Sequence, residues 1–259
     1  MKLSDQTLWV RHEAHGEIIL NRPDKGNALT YEMLEDIWQI CEVARKDRDL
    51  RAIVLRGAGE RFFCTGGDIE AWGSLTPHDM GRDWILFGIE VFERLRKLPQ
   101  PIIAAINGHC LGGGLELAMA ADLRVCTARA KFGTPEVTLG MIPGWMGVRR
   151  LAEIAGVSRA RHLTLLGAPI TSDIAEHWGL VTAVAEDQAA LDVKVAEWLD
   201  RLAGNGPSAM AIVKGLLESM HEDMAQHHAS AVAQAAGTED CKEGVQAFIE
   251  KRKPTYNNR

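Results

Sequence analysis

The chain has 259 residues, 46% of them apolar and 25% charged, with a net charge of −6. That balance advertises no polyanion-binding surface, so nucleic acid and anionic membrane are poor partners, and no run approaches the ~18 apolar residues of a membrane span. The N-terminus lacks the apolar core of a signal peptide, and the five cysteines (41, 64, 110, 126 and 241) never form CxxC, so they read as reduced, buried thiols of a cytosolic protein.

In chain order, "TLWVRHE" and "EIILN" are short β-rich runs around His15-Gly16, a hairpin signal. "ALTYEMLEDIWQICEVARKD" carries apolar residues at 34, 37, 38, 41 and 44, a helical period, with Thr30 or Asn27 as the candidate cap. "RAIVLRG", "PIIAAING" and "DLRVCT" are continuous apolar runs, as buried parallel strands are. Between them lie a long helix, about Met80 to Leu98, and a short one opening at Gly113 or Gly114. This alternation predicts an α/β core with crossovers. After Gly140 the pattern turns helical. One helix ends at Gly156, and others run from Ser158 to Gly167, from Thr171 or Ser172 to Gly179, across "ALDVKVAEWLDRLAG", from Pro207, and from Thr238 as N-cap. The chain reads as one domain with an α/β front and a helical tail, with residues 1–200 assigned to the core and 201–259 to a C-terminal helical region.

Four stretches carry candidate chemistry. "NRPDKGNALT" (21–30) is a strand-to-helix loop. In "GERFFCTGGDI" (59–69), Gly66 and Gly67 leave backbone N–H groups unshielded and Asp68 can cap the next helical turn. In "HCLGGGLE" (109–116), a glycine triplet follows a buried strand and opens an apolar helix, which aims free N–H groups at a cleft suited to negative charge on oxygen. Glu116 then sits among Leu, Ala and Met, where a carboxylate is costly unless hydrogen-bonded, solvated or protonated. The plainer alternative is a first-turn Glu serving the helix dipole. In "FGTPEVTLGMIPG" (132–144), Glu136 lies in an apolar loop and is a candidate general acid or base. No Walker loop, GxGxxG, HExxH or CxxC occurs, so no metal site is indicated. His109 reads as a loop residue, and His227-His228 as a solvated helix face.

Together and in order, "NRPDKGNAL", "FCTGGDI", "AAINGHCLGGGLELAMAADLRV", "FGTPEVTLGMIPG" and "FIEKRKP" resemble the crotonase (enoyl-CoA hydratase/isomerase) superfamily, over nearly the whole chain. The resemblance implies a spiral of ββα units with a helical C-terminal trimerisation region, and a homotrimer or dimer of trimers. It implies an acyl-CoA thioester as substrate and no separate cofactor. By motif position, Gly67 and Gly113 are the two backbone donors to the thioester oxygen. Glu116 and Glu136 match the hydratase acid/base pair, Glu136 protonating and Glu116 activating water. Lys25, Ala28, Arg61, Thr65, Asp68 and Ile69 fall at coenzyme A positions. Phe248 and Lys251 match residues that reach the coenzyme A of a neighbouring subunit. Retention of both acids favours an enoyl-CoA hydratase over a double-bond isomerase, a C–C lyase, a thioester hydrolase or a silent oligomeric scaffold.

One departure concerns the acyl pocket. Family hydratases commonly read Ile-Pro-Gly-Ala-Gly-Gly where this chain has "IPGWMG" at 142–147. Trp145 and Met146, with Trp72 and Trp84, are therefore expected at the acyl pocket. An inward Trp145 suits short or flat acyl groups; an outward one packs a subunit contact.

Overall fold

The longest apolar runs form the middle of a six-stranded sheet, ordered β1-β2-β3-β5-β7-β10. These strands are β1 (Thr7–Arg11), β2 (His15–Leu20), β3 (Ala52–Gly57), β5 (Ile102–Ile106), β7 (Leu123–Thr127) and β10 (Ala183–Ala185). The computed structural model describes residues 2–218 and 238–257. β1 pairs antiparallel with β2, and every other pairing in this sheet is parallel. Burial on both faces explains the unbroken apolar runs. Ile53, Leu55, Ile102, Ala104 and Ile106 face the main core, while Val54, Ile103, Ala105 and Val125 pack with Leu191 and Val195 of the helix Gln188–Ala203.

The second sheet has strands too short to see in sequence: β4 (Phe62–Cys64), β6 (His109–Leu111), β8 (Lys131–Gly133) and β9 (Ile170–Thr171), in the order β4-β6-β8-β9. Successive pairs β3/β4, β5/β6 and β7/β8 each give one strand to each sheet, and a helical segment comes after each pair. This is the expected spiral of ββα units. His109–Leu111 is thus strand, not part of the glycine turn, because Cys110 pairs with both β4 and β8.

The hairpin forms, but its turn is 12–14; His15 and Gly16 open β2, where the Trp9 ring lies over Gly16. Thr30, not Asn27, caps the helix Tyr31–Ala44, its hydroxyl accepting from the Met33 N–H at 3.2 Å. The long helix splits into a π-wound stretch, Met80–Leu86, and an α-helix, Phe87–Arg96. Ser158 is not an N-cap. Gly156, at φ +85°, ends the helix Gly147–Ala155 and starts Val157–Leu166 directly. Helices Pro207–Glu218 and Glu239–Glu250 complete the described chain. The first is anchored to the core by Lys214, whose Nζ donates to Asp122 Oδ2 at 2.7 Å and to the Gln100 carbonyl at 3.1 Å. No helix of the described residues is long and apolar enough to cross a membrane. His227 and His228 lie outside the described residues.

The helix Gly113–Ala118 docks on β4 through Gly114, where a Cβ would overlap the Cys64 carbonyl oxygen and lie 2.7 Å from Cys64 Cβ. Gly114→Ala is therefore expected to lower stability by about 1–3 kcal/mol, the usual cost of overpacking. Gly81→Ala, which meets nothing within 4 Å, leaves it nearly unchanged. Thermal unfolding of both variants checks this.

Candidate active site

Three parallel strands end at one place. β4 runs into Thr65–Asp68, β6 into Gly112–Gly114, and β8 into Thr134–Glu136. Their registers, Cys64↔Cys110 and Cys110↔Phe132, align those ends. The three turns border one cleft of about 120 Å³, lined by Gly66, Gly67, Gly112, Gly113, Glu116 and Glu136 among others.

Gly67 is held by a bridge to Leu29. Leu29 N–H donates to the Gly66 carbonyl, and Asp68 N–H donates to the Leu29 carbonyl, each at 2.8 Å. The Gly67 carbonyl accepts from Trp72 Nε1 at 3.3 Å. Gly112 turns the chain at φ +53°, a conformation that favours glycine, and its N–H donates to the Gly133 carbonyl at 2.8 Å. Gly113 then opens the helix as an unpaired first-turn amide. Neither Gly67 N–H nor Gly113 N–H has a protein acceptor among the described residues. The two amides are close neighbours: a Cβ at Gly113 would lie 3.4 Å from the Gly67 nitrogen. Two free donors converging in a concave site are suited to one oxygen carrying developing charge.

Glu116 is 1% exposed. Its Oε1 accepts from the Trp145 N–H at 2.7 Å and the Gly147 N–H at 2.6 Å. Burial, then the nearby Glu136, pushes its carboxyl up to about 7, against those two hydrogen bonds. Glu136 sits in the 3₁₀ turn Pro135–Leu139, its Oε1 close to the backbone of Gly112, and burial pushes it up as well. Its Oε2 is buried without a protein partner. The site thus pairs one carboxyl fixed by amides with another that lines the cleft and keeps one oxygen unpartnered.

The other expected residues divide. Thr65 and Ile69 line the cleft. Lys25 and Ala28 lie in the loop packed against it, where Thr65 N–H donates to the Gly26 carbonyl at 3.0 Å. Lys25 is exposed, 3.5 Å from Glu70. Asp68 caps the short helix Ile69–Trp72 and pairs with Arg22 at 2.7 Å. Arg61 is not brought to the cleft. It precedes β4, at the end away from Thr65, and its guanidinium stands 4.9 Å from the Phe62 ring. Lys251 is exposed just past the last helix at φ +54° and does not line this chain's cleft. The side chain of Phe248 lies outside those described. His109 packs edge-on to Phe62 and stays out of the cleft.

Trp72, Trp84 and Trp145 all line the cleft. Trp145 points inward and is 3% exposed. Met146 does not line it, contrary to expectation. At φ +68° it turns the chain so that the amides on either side of it, those of Trp145 and Gly147, reach one oxygen of Glu116. Sequence reasoning also missed Arg150, which is 3% exposed, pairs with Glu93 at 2.6 Å and donates to the Trp145 carbonyl at 3.4 Å. Its ion-pair partner, Glu93, is too distant in sequence to signal it. Gly88 was missed too, although a glycine inside a helical pattern is itself a signal.

The sequence model of a family described as enoyl-CoA hydratase/isomerase matches residues 11–259. The chain is 38% identical over 234 residues to a probable enoyl-CoA hydratase of Bacillus subtilis (strain 168), covering 89% of this chain and 90% of that protein. It is 35% identical over 241 residues to a short-chain-enoyl-CoA hydratase of Clostridium acetobutylicum, covering 91% of each. The crystal structure of an enoyl-CoA hydratase from Bacillus anthracis superposes with a TM-score of 0.93 at 34% identity, over 98% of this chain and 100% of that one.

The raised Glu116 carboxyl links stability to pH. Its folded value lies above its unfolded one, so the folded state is favoured at low pH, and that advantage is lost as pH rises from about 4.5 through about 7. Glu116→Gln keeps the acceptor for both amides and removes the titration. It is expected to gain stability relative to the parent by up to about 3 kcal/mol between pH 4 and pH 8, since each pH unit across that window is worth about 1.4 kcal/mol. Denaturant titrations at both pH values measure it.

Proposed function

The chain belongs to the enoyl-CoA hydratase/isomerase family, the crotonase superfamily, and from that premise we propose that it is an enoyl-CoA hydratase acting on an acyl-CoA thioester. The observation that carries the reading is the meeting, in one cleft, of two unpaired amides, one buried carboxyl and one half-buried carboxyl. In a 2-enoyl thioester, the carbonyl oxygen takes both amides, Gly67 and Gly113. Water held between the carboxyls loses a proton to Glu116 and adds as hydroxide at Cβ. Charge moves onto the thioester oxygen as an enolate, where the two donors stabilise it. Glu136 then delivers a proton to Cα. One carboxyl must begin charged and the other protonated. The two amides on Glu116 favour its ionised form, against burial and Glu136, which raise its carboxyl to about 7. Burial raises Glu136 as well, so the proton is shared by the pair and passes from one carboxyl to the other as water adds. The pair titrates as a unit.

The adenosine and phosphate end of coenzyme A lies, in this reading, along the 25–28 loop with Thr65, Asp68 and Ile69. Arg61 stands before β4, outside the cleft, and in this reading meets coenzyme A beyond the acyl site. The helical region beyond residue 200 builds a homotrimer or dimer of trimers, with Phe248 and Lys251 contributing across subunits. The four described cysteines, free and buried, fit a cytosolic compartment.

Addition of a 2-enoyl-CoA to the enzyme is expected to abolish the absorbance of the conjugated thioester, with a product heavier by one water. Glu116→Gln and Glu136→Gln each lower turnover by about 10²–10⁴, the usual contribution of a general acid or base. Parent-like rates from both variants would reject the roles assigned here. A product of unchanged mass would point to isomerisation instead.

A further inference from the structure

Three indoles stand against the two glycines whose amides face the cleft. A Cβ on Gly67 would lie 3.0 Å from Trp84 Cζ2 and 3.3 Å from Trp72 Nε1, and one on Gly113 would lie 2.8 Å from Trp145 Cε3. The aromatic wall therefore begins where the thioester carbonyl would be held. It is also fixed. The Trp84 and Trp145 rings are 5.3 Å apart, and Phe92 meets Trp145 edge-on at 5.2 Å. Trp145 Nε1 donates to the Trp84 carbonyl at 3.3 Å, and its backbone N–H is bound to Glu116. Gly88 makes the room: a Cβ there would overlap the indole nitrogen. Leu139 and Ile142, both well exposed, border the cleft on its solvent side, and Trp145 is buried at its inner end.

The size of the remaining space limits the ligand. A dry protein cavity of about 150 Å³ holds one benzene. The cleft, at about 120 Å³, has room for a carbonyl and a few carbons. We propose that Trp145, seated on Gly88 and tied to Trp84, closes the acyl end of the cleft and limits the enzyme to 2-enoyl-CoA thioesters of about four carbons. This rests on the hydratase reading. Trp145 acts as a specificity-determining residue, and it reaches the wall by the same loop that fixes Glu116.

The test separates binding from turnover. Dissociation constants of butyryl-, hexanoyl- and decanoyl-CoA, which are saturated, are measured by calorimetry on the full-length protein. Values of kcat/KM are measured on 2-butenoyl-, 2-hexenoyl-, 2-decenoyl- and cinnamoyl-CoA. The parent is expected to prefer the four-carbon chain over the ten-carbon chain by about tenfold or more in both measurements, and to discriminate against cinnamoyl-CoA, which is flat but too long for a cleft of about 120 Å³. Trp145→Ala shifts the preference toward six and ten carbons. Trp145→Phe, which keeps most of the packing, shifts it part of the way and serves if the alanine variant does not fold. Equal affinity of the parent for four- and ten-carbon chains overturns the proposal, as does efficient hydration of cinnamoyl-CoA or an unchanged preference in Trp145→Phe. Discrimination among saturated chains without hydration of any enoyl thioester supports the wall and rejects the hydratase reading.

Discussion

The alignment of three short parallel strands is the constraint on which the site depends. β4, β6 and β8 contribute only three residues each, yet their shared register brings Gly67, Gly113 and Glu136 to a common edge. A slip of one residue in any of them would turn each side chain to the other face and carry its adjoining turn out of place. The packing that prevents it is local. Phe63, Cys64, Cys110 and Phe132 are fully buried, and Gly114 lies directly on the end of β4. The glycine triplet thus has three separate causes: a left-handed turn at 112, a wall of indole at 113, and a strand at 114.

Burial of Glu116, and partial burial of Glu136, opposes folding, and the surroundings offset that cost unevenly. Glu116 has two amides, supplied by a loop that bends through Met146 in the left-handed region, where a non-glycine residue costs about 1–2 kcal/mol. Arg150, neutralised by Glu93, holds the carbonyl side of the same loop. Glu136 has no such support on its inner oxygen. The strain and the unpaired atom both lie at the cleft, where chemistry would use them. Because residues 145–147 both fix an acid and build the acyl wall, acid placement and substrate size are physically joined.

Much of this was legible in the sequence. The long apolar runs marked the buried parallel strands, and paired glycines beside acids marked the turns. Asp68 announced its cap, and of the two candidates Thr30 and Asn27 it is Thr30 that caps. The three-residue strands were not legible, since so short a run has no period. The π-wound Met80–Leu86 stretch shares its apolar pattern with an ordinary helix. Arg61 falls at a coenzyme A position by motif, and the direction of β4 sets it outside the cleft that holds the two carboxyls. The inward turn of Trp145 could not be read either, because it depends on Gly88, fifty-seven residues earlier. Complementarity between distant residues leaves no local trace. Met146 was misplaced for a related reason: its backbone angle shapes the site, not its side chain.

The central claim is that the amides of Gly67 and Gly113 together hold the thioester oxygen. The most direct measurement is the carbonyl stretching frequency of a 2-enoyl-CoA, isotopically labelled at the thioester carbon, bound to a variant with both Glu116 and Glu136 changed to Gln. Two donors on one oxygen polarise the bond, so the band is predicted to move to lower frequency than in water. A bound thioester whose band matches or exceeds the solution frequency would contradict the account.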